Sequence, residues 1–316
     1  MIARLRRVRR HFLGLNGRNH RYLTRTGSRA QRLVDDKLAT KRHLERHGIP
    51  TTRLLATCER YGAISALVAR LADTGAFVVK PARGARGAGI LLLEGHGTAG
   101  FRAAGGHALS ASRVALHLAD VLSGAFSRGR QPDAGVVEEA VRPHPALRGW
   151  SPYGVPDCRI IVFRGVPLLA MMRLGTRHSG GRGNLHAGAI GVAVDLASGC
   201  GLHAERAGRS LRVHPDTDAP LLGRPIPGWR ETLLVAAQAA ASVPLELVGV
   251  DVLVDRRRGP LVCELNARPG LTIQTVNRVG LASLLEQVAA SAVPGHLGER
   301  ILLGQRLYST SCSAYS

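Results

Sequence analysis

Lysine is almost missing from this chain. Of 43 lysine and arginine residues only Lys37, Lys41 and Lys80 are lysine. A coding bias toward arginine explains the scarcity, and a lysine kept against that bias marks a position that needs a compact point charge rather than a planar fork. Lys41, expected on the exposed side of a helix, is the one of the three that reads as a chance survivor. Aromatic residues are also scarce, at 4%, and do not interleave with basic ones, which argues against base stacking and against a specific nucleic-acid partner. No apolar run approaches the ~18 residues of a membrane span, and the first residues lack the apolar core of a secretory signal. The five cysteines, Cys58, Cys158, Cys200, Cys263 and Cys312, form no CxxC pair. Reduced thiols and a soluble, cytoplasmic chain, with room for peripheral attachment at a membrane surface, are therefore expected.

What the chain does have is length, apolar mass and positive charge. Its 316 residues, 45% of them hydrophobic, suffice for about two domains with real cores. A net charge of +21 draws it toward acidic partners: nucleic acid, an anionic membrane or a protein in it, an acidic peptide, or a nucleotide. Residues 1–32 hold ten arginines and no acid, with Ile2, Leu5, Val8, Phe12 and Leu15 at roughly helical spacing. A membrane-surface helix, a transit-like presequence and a basic first element of the fold all fit that pattern.

The apolar periodicity predicts an α/β (α+β) protein. A helix is expected over Gln31–His47, stopped by Gly48-Ile49-Pro50. Strands are expected at Arg53–Thr57, Ala76–Pro81, Gly89–Leu93 and Gly135–Val141, with helices at Ile64–Thr74 and near Ser112–Leu122. A second block holds strands at Arg159–Phe163, Pro167–Leu174 and Ala187–Val194, a hairpin from Val250, and helices at Trp229–Ser242 and near Leu281–Ser291. The division expected is a basic segment with entry helix (1–50), a first subdomain (51–141), a second (142–306) and a loose tail (307–316).

The hairpin carries the most chemistry. In VDVLVDRRRGPLVCELNARPGL, alternation sets Val262, Glu264 and Asn266 on one side of the returning strand, and a register pairing Asp251 with Glu264 or Asn266 gathers three oxygen donors on one face. Two carboxylates and an amide are hard ligands suited to Mg²⁺; the same residues could equally face water. Cys263, alternating away from Glu264, is expected in the core.

FVVKPARGARGAGI, from Phe77 to Ile90, reads as a strand ending in Lys80 and a loop with Gly84, Gly87 and Gly89. Glycines let backbone N–H groups approach an anion closely, and Arg83 and Arg86 beside them favour phosphate over a bare hairpin tip. It is no Walker loop, because the lysine precedes the glycines. His43 and His47 stand at i, i+4 on a helix but lack a third metal ligand and are expected to be solvated. No GxSxG elbow and no Cys with a motif-like His partner appears.

Taken in order, VDDKLATKRHLERHGIPT (34–51), FVVKPARGARGAGI, VVEEAV (136–141), DCRIIVFRG (157–165) and GVDVLVD…LVCELNARPGL resemble the successive signatures of the ATP-grasp ligase superfamily. With LGLNGRNHRYL…DDK at 13–37, the chain is most similar to the RimK-related alpha-L-glutamate ligase-like group, also called sugar-transfer-associated ATP-grasp proteins. The resemblance runs from about Leu13 to Ile301. It implies an ATP-grasp fold, two α+β subdomains clamping ATP, behind a short truncated N-terminal segment.

By that resemblance Lys37 and Lys80 contact ATP phosphates, and the loop from Ala82 to Gly89, with Arg83, Gly84, Ala85, Arg86, Gly87 and Gly89, forms a lid over them. Glu138, Glu139 and the Val141 backbone form the adenine hinge. Asp251, Glu264 and Asn266 hold one or two Mg²⁺, with Mn²⁺ as a substitute. Arg159 and Arg173 face the γ-phosphate and acyl-phosphate, and Arg268 and the Gly270 backbone lie where an oxyanion forms. Asn184 and His186, in SGGRGNLHAGAI, meet the acceptor or the phosphates, or belong to a β-turn with no ligand. The implied activity is an ADP-forming carboxylate–amine ligase that adds glutamate or another amino acid to an acidic acceptor, a small carboxylate or peptide. The rival is a non-catalytic ATP-binding or membrane-associated module. Fewer residues precede the DDK helix than in many relatives, so part of the acceptor site is expected from the basic segment, another subunit or a partner.

Overall fold

In the computed structural model, residues 11–23, 27–84, 87–97, 100–103, 106–150 and 152–313 are described. They fall into two units. One comprises 36–42 and 51–142; the other comprises the chain up to Asp35, 43–50 and 143–316.

The smaller unit is a six-stranded antiparallel sheet with two helices. Strands β1 (Leu54–Cys58), β2 (Ala76–Pro81), β3 (Leu91–Gly95), β4 (Phe101–Ala103), β5 (Ala108–Leu109) and β6 (Gly135–Glu139) pair in the order β1-β6-β2-β3-β4-β5. Alternation sends Phe77, Val79, Leu93 and Val137 to one face, where they bury with Leu67, Leu71, Val114 and Leu118 from the helices Ile64–Ala72 and Ala111–Leu122. Ser110 caps the second helix, accepting from Arg113 N. The opposite face receives Val78, Lys80, Val136 and Glu138, because Val78 pairs Glu138 and Lys80 pairs Val136. Against that face packs a small cluster of Leu38, Ala82 and Val136.

The helix expected over Gln31–His47 is two helices, Ser28–Asp35 and Lys37–Arg46. Asp36 breaks it: Asp36 Oδ1 accepts from Leu38 N and Ala39 N, both at 3.0 Å, the bonding of an N-cap. An aspartate in an apparent helix interior is also an Asx cap signal, and that second meaning decides the local fold.

In the larger unit, β7 (Asp157–Phe163), β8 (Val166–Leu174), β9 (Ile190–Val194), β10 (Gly201–Arg206), β11 (Arg209–Leu211), β12 (Leu247–Asp255) and β13 (Gly259–Asn266) form an antiparallel sheet ordered β11-β10-β9-β8-β7-β12-β13. One face is apolar: Cys158, Val252 and Val262 line up across β7, β12 and β13 and are fully buried. The helix Trp229–Ala241 packs on β12 and β13, adding Leu233, Ala236, Ala237 and Ala240 to the core.

Two expectations are corrected in this unit. The strand expected from Ala187 begins at Ile190, after a 3-10 turn over Leu185–Ala187. The tail expected to be loose after Leu307 is helical as far as the described residues reach, to Ser313. A helix spans Leu297–Ser313, and Tyr308, 1% exposed, donates its hydroxyl to Asn277 Oδ1 at 3.0 Å. Leu303 and Tyr308 belong to the main apolar cluster. Its modest amphipathic pattern hid a helix whose small and polar residues pack on neighbours.

Candidate functional site

In the smaller unit, four polar side chains are buried together. Lys80, 5% exposed, lies 2.7 Å from Glu138 Oε2, and Lys41 Nζ lies 3.0 Å from Glu138 Oε1. Thr52 donates its hydroxyl to Glu138 Oε2 at 2.7 Å and accepts from Lys41 Nζ at 2.8 Å, and Lys41 also donates to the Thr52 carbonyl. Lys41 is thus 3% exposed and no surface leftover. The helix turn holding it covers the sheet face from which Glu138 points. Burial alone would raise the Glu138 pKa, but Lys80 and Lys41 outweigh it and bring it below the usual value. Two ammonium groups thus lie within ion-pair distance of one buried carboxylate.

The other residues expected to bind phosphates or base are distributed around this cluster. Lys37 N donates to the Ala82 carbonyl at 2.9 Å and Lys37 Nζ to the Gly84 carbonyl at 2.7 Å, tying the glycine loop to the helix start. Arg83 N donates to Asp133 at 3.0 Å, while its half-exposed guanidinium reaches Asp36 Oδ2 at 3.2 Å. Gly84 leaves no space for a side chain: a Cβ would lie 2.2 Å from Pro81 Cγ. Gly89 has φ +72°, and its carbonyl lies 3.0 Å from His117 Nε2. Gly87 also has positive φ. Ala85 and Arg86 lie outside the described residues. Glu139 pairs Phe77 and therefore points to the face opposite Glu138, and Val141 is buried. Of the two adjacent acids, Glu138 alone joins the lysines.

In the larger unit, the sheet face opposite the apolar one is charged. Asp251 pairs Glu264 on one side and Arg159 on the other, and Asp157 pairs Arg173. Asn266 pairs Gly249, two residues from Asp251, so the three expected oxygen donors share a face. The route is a bulge: Asp251 pairs Glu264 but Val252 pairs Val262, leaving Cys263 out of the ladder. Val262 accordingly lies on the apolar face rather than beside Glu264, and Cys263 is half-buried rather than in the core.

Asp251 is the hub. Arg159 grips both its oxygens at 2.7 Å, Arg173 Nη2 reaches Oδ2 at 2.8 Å, and Asn266 Nδ2 stands 3.3 Å from Oδ2. Burial pushes the Asp251 pKa up, but the two guanidiniums hold it at about 2. Asp157, which the sequence reading passed over, accepts from Arg173 Nε at 2.5 Å; burial raises its pKa against the pull of Arg173. Its parity with Arg159 in Asp-Cys-Arg was the available signal. Arg173 itself is held charged, its carboxylate neighbours overcoming burial. Gly183 closes against this pair, since a Cβ there would lie 3.1 Å from Asp157 Oδ2 and 3.3 Å from Arg173 Cβ.

Arg268 pairs with Asp35 at 2.7 Å and with Gln31 Oε1 at 2.9 Å, and a Cβ on Gly270 would sit 3.8 Å from Arg159 Nη1. Asn184 caps the short turn at Leu185–Ala187 by accepting from His186 N at 3.1 Å, while the His186 ring is exposed. His43 Nε2 lies 2.8 Å from the Ser242 carbonyl. Among the described residues no three His, Cys, Asp or Glu side chains cluster as a metal site; the set on the hairpin is two carboxylates plus an amide. Among the same residues no helix is long and apolar enough to cross a membrane.

Comparison with known proteins follows from this geometry. The family described as sugar-transfer associated ATP-grasp matches residues 17–290. No curated protein matches the chain. Solved structures do. One is the ATP-grasp ligase PsnB complexed with minimal precursor, at 16% identity, covering 83% of this chain and 61% of that one, with a TM-score of 0.43. Another is D-cycloserine synthetase DcsG, at 16% identity, 87% and 71% coverage and a TM-score of 0.45. A third is a RimK domain protein ATP-grasp from Sphaerobacter thermophilus, at 17% identity, 82% and 69% coverage and a TM-score of 0.44. The chain spans about three fifths of the length of the PsnB chain, and at such TM-scores these likenesses bear on neither substrate nor partner.

Proposed function

The chain belongs to the sugar-transfer associated ATP-grasp family, and on that premise we propose that it is an ATP- and Mg²⁺-dependent carboxylate–amine ligase acting on an acidic acceptor. The observation that carries this reading is the pairing of two chemistries in one chain. A buried pair of ammonium groups on one carboxylate lies in one unit, and a face of carboxylates and guanidiniums in the other.

Lys80 would contact the triphosphate, with Lys37 and the backbone from Ala82 to Gly89 beside it, and Glu138 would face the base. The donors present fit Mg²⁺: Asp251 stays ionised to about pH 2, Glu264 stands across from it, and both are hard oxygen ligands. Bound there with Asn266, the ion would neutralise phosphate charge. Arg159 and Arg173 would line up the γ-phosphate with an acceptor carboxylate, two anions that meet only where cations screen both. The carboxylate oxygen attacks phosphorus, the bond to the ADP oxygen breaks, and an amine then displaces phosphate from the acyl-phosphate to leave an amide. Arg268 and the Gly270 backbone would stand beside the oxyanion of that second step.

The test is ADP release with ATP, Mg²⁺ and amino acids paired with acidic peptides or sugar acids, the product read by mass spectrometry. An amide product whose formation requires both substrates is the expected result. ATP binding without turnover across the panel would favour a non-catalytic module, and no nucleotide binding would end the reading.

A further inference from the structure

We propose that Arg18 is a positioning residue: by holding the Pro269 carbonyl it aims the Gly270 N–H at the oxyanion of amide formation. The inference rests on the ligase reading above and gives a task to the motif LGLNGRNHRYL, to which that reading assigns none.

Arg18 is a buried cation whose partners are all neutral. It is 8% exposed, and among the described residues no carboxylate pairs with it. Its guanidinium donates from Nη1 to the Pro269 carbonyl at 2.8 Å, and from Nε and Nη2 to Asn19 Oδ1 at 3.1 and 2.8 Å. Burial, and after it the like charge of Arg268, lower its pKa from the usual arginine value. A charge so placed costs stability, and an apolar side chain would serve packing better. What the charge does achieve is a strong bond to one peptide carbonyl.

That carbonyl matters because of the amide behind it. The Pro269–Gly270 peptide is trans, so its C=O and N–H point in opposite directions within one rigid plane. A donor fixed on the oxygen therefore sets where the N–H points, and its charge polarises the amide and strengthens it as a donor. Gly270 is exposed, and among the described residues its N–H has no acceptor. The turn also lies beside Arg159, whose Nη1 a Cβ on Gly270 would approach to 3.8 Å.

Arg18 is itself anchored within the same unit. Gln274, 2% exposed, accepts from Leu13 N at 2.8 Å and from Leu281 N at 2.9 Å, and donates to the Leu13 carbonyl at 3.1 Å. The chain at His11 runs so close to Gly280 that a Cβ there would lie 2.3 Å from the His11 carbonyl oxygen. The helix Leu15–Arg18 thus starts from a fixed point. From the other side Gly249 makes room for the turn, since a Cβ on it would lie 2.8 Å from Pro269 Cβ.

Two measurements test the proposal, the first without any substrate. The chain has three Pro–Gly peptides, ending at Gly228, Gly270 and Gly295, so protein labelled with carbonyl-¹³C proline and ¹⁵N glycine gives three cross-peaks, assigned by substituting each proline. Arg18→Met should move the Gly270 peak upfield and leave the other two in place; an unmoved Gly270 peak overturns the proposal. The second is kinetic, with ATP, Mg²⁺ and the acidic peptide and amino acid that give product in the panel above. Arg18→Met should lower kcat for amide formation by about tenfold or more and leave the ATP KM within about twofold. A merely structural role would raise KM and lower the melting temperature with kcat kept, which overturns the proposal. Gly270→Pro removes the N–H itself, and in that background Arg18→Met should cost no further kcat; additive losses overturn the proposal. If Arg18→Met does not fold, Asn19→Ala, at an exposed position, releases the guanidinium instead and should lower kcat by about threefold or more, and an unchanged kcat in it overturns the proposal. Wild-type protein that turns over nothing in the panel defeats the ligase reading and this role with it, whereas an active wild type equalled by its Arg18 variant defeats the role alone.

Discussion

Asp251 stands directly across from Glu264 in the antiparallel pair of β12 and β13, and it does so because Cys263 bulges out of the ladder between Val262 and Glu264. One extra residue shifts parity, so that Val262 joins the apolar face while Glu264 joins Asp251. The same strand thereby serves the core and the charged face. Asp251 carries the arginines on its other side, with Arg159 at 2.7 Å from both oxygens.

The hairpin prediction follows from that arrangement. Glu264→Gln keeps volume and removes charge at a half-buried position, so Mg²⁺-dependent ADP formation should fall by about a hundredfold or more, as expected where a metal supplies several kcal/mol. The melting temperature should stay near that of the parent. Asp251→Ala is different, because it leaves Arg159 and Arg173 without their shared carboxylate and should cost about 3–5 kcal/mol of stability as well as activity. A Glu264→Gln enzyme with normal turnover would remove this residue from the metal set.

Lys80→Arg keeps the charge and should still fail. At 5% exposure, with Glu138 at 2.7 Å, the site has a counter-ion placed for a point charge, and a guanidinium adds a planar fork and extra volume. The expected result is a rise of at least about tenfold in the ATP KM, with loss of stability of about 1–3 kcal/mol from overpacking. Wild-type kinetics in this variant would show that the ammonium is not specifically needed.

The pH dependence of the smaller unit has a definite sign. Glu138 has its folded pKa depressed, because Lys80 and Lys41 outweigh burial; it therefore stabilises the fold above its unfolded value of about 4.3, and that contribution is lost as pH falls through the lower folded value. Asp251, held at about 2, acts in the same direction in the other unit, whereas Asp157, raised by burial, opposes it. Urea titrations from pH 7 down to about 3 should show stability falling below about pH 4.5. Glu138→Gln should flatten part of that fall while starting from lower stability at pH 7. An unchanged slope would mean that Glu138 is not the acid-sensitive group.

Much of this was legible in the chain. The Asp251–Glu264–Asn266 face follows from alternation, and Lys80 at a strand end follows from FVVK. What escaped had physical reasons. A bulge cannot be seen in a two-residue period, so Val262 was expected on the wrong side. Lys41 looked exposed because helical periodicity describes one helix and not the sheet face that the helix turn covers. Asp36 read as helix interior until its side chain capped Leu38 and Ala39. Asp157 shares a face with Arg159, but its partner Arg173 lies across the β7–β8 pairing, a register that local spacing does not reveal.

The C-terminal helix gives the last prediction. Tyr308 is 1% exposed and its hydroxyl donates to Asn277 Oδ1, whose Nδ2 in turn donates to the Ala170 carbonyl at 3.0 Å. That chain of bonds runs from the helix to β8, the strand that also bears Arg173. Tyr308→Phe removes one hydroxyl and leaves Asn277 short of a donor, a loss of about 1–3 kcal/mol. Tyr308→Ala should cost about 3–5 kcal/mol, the range for a large aromatic removed from a core. Truncation after Leu307 should cost at least as much, where a loose tail would cost nothing. Chemical denaturation of the three variants distinguishes the cases. A truncated protein as stable as the full chain would return residues beyond Leu307 to the status of an appendage, and a graded loss from Phe to Ala to truncation would place them in the core that supports Arg173.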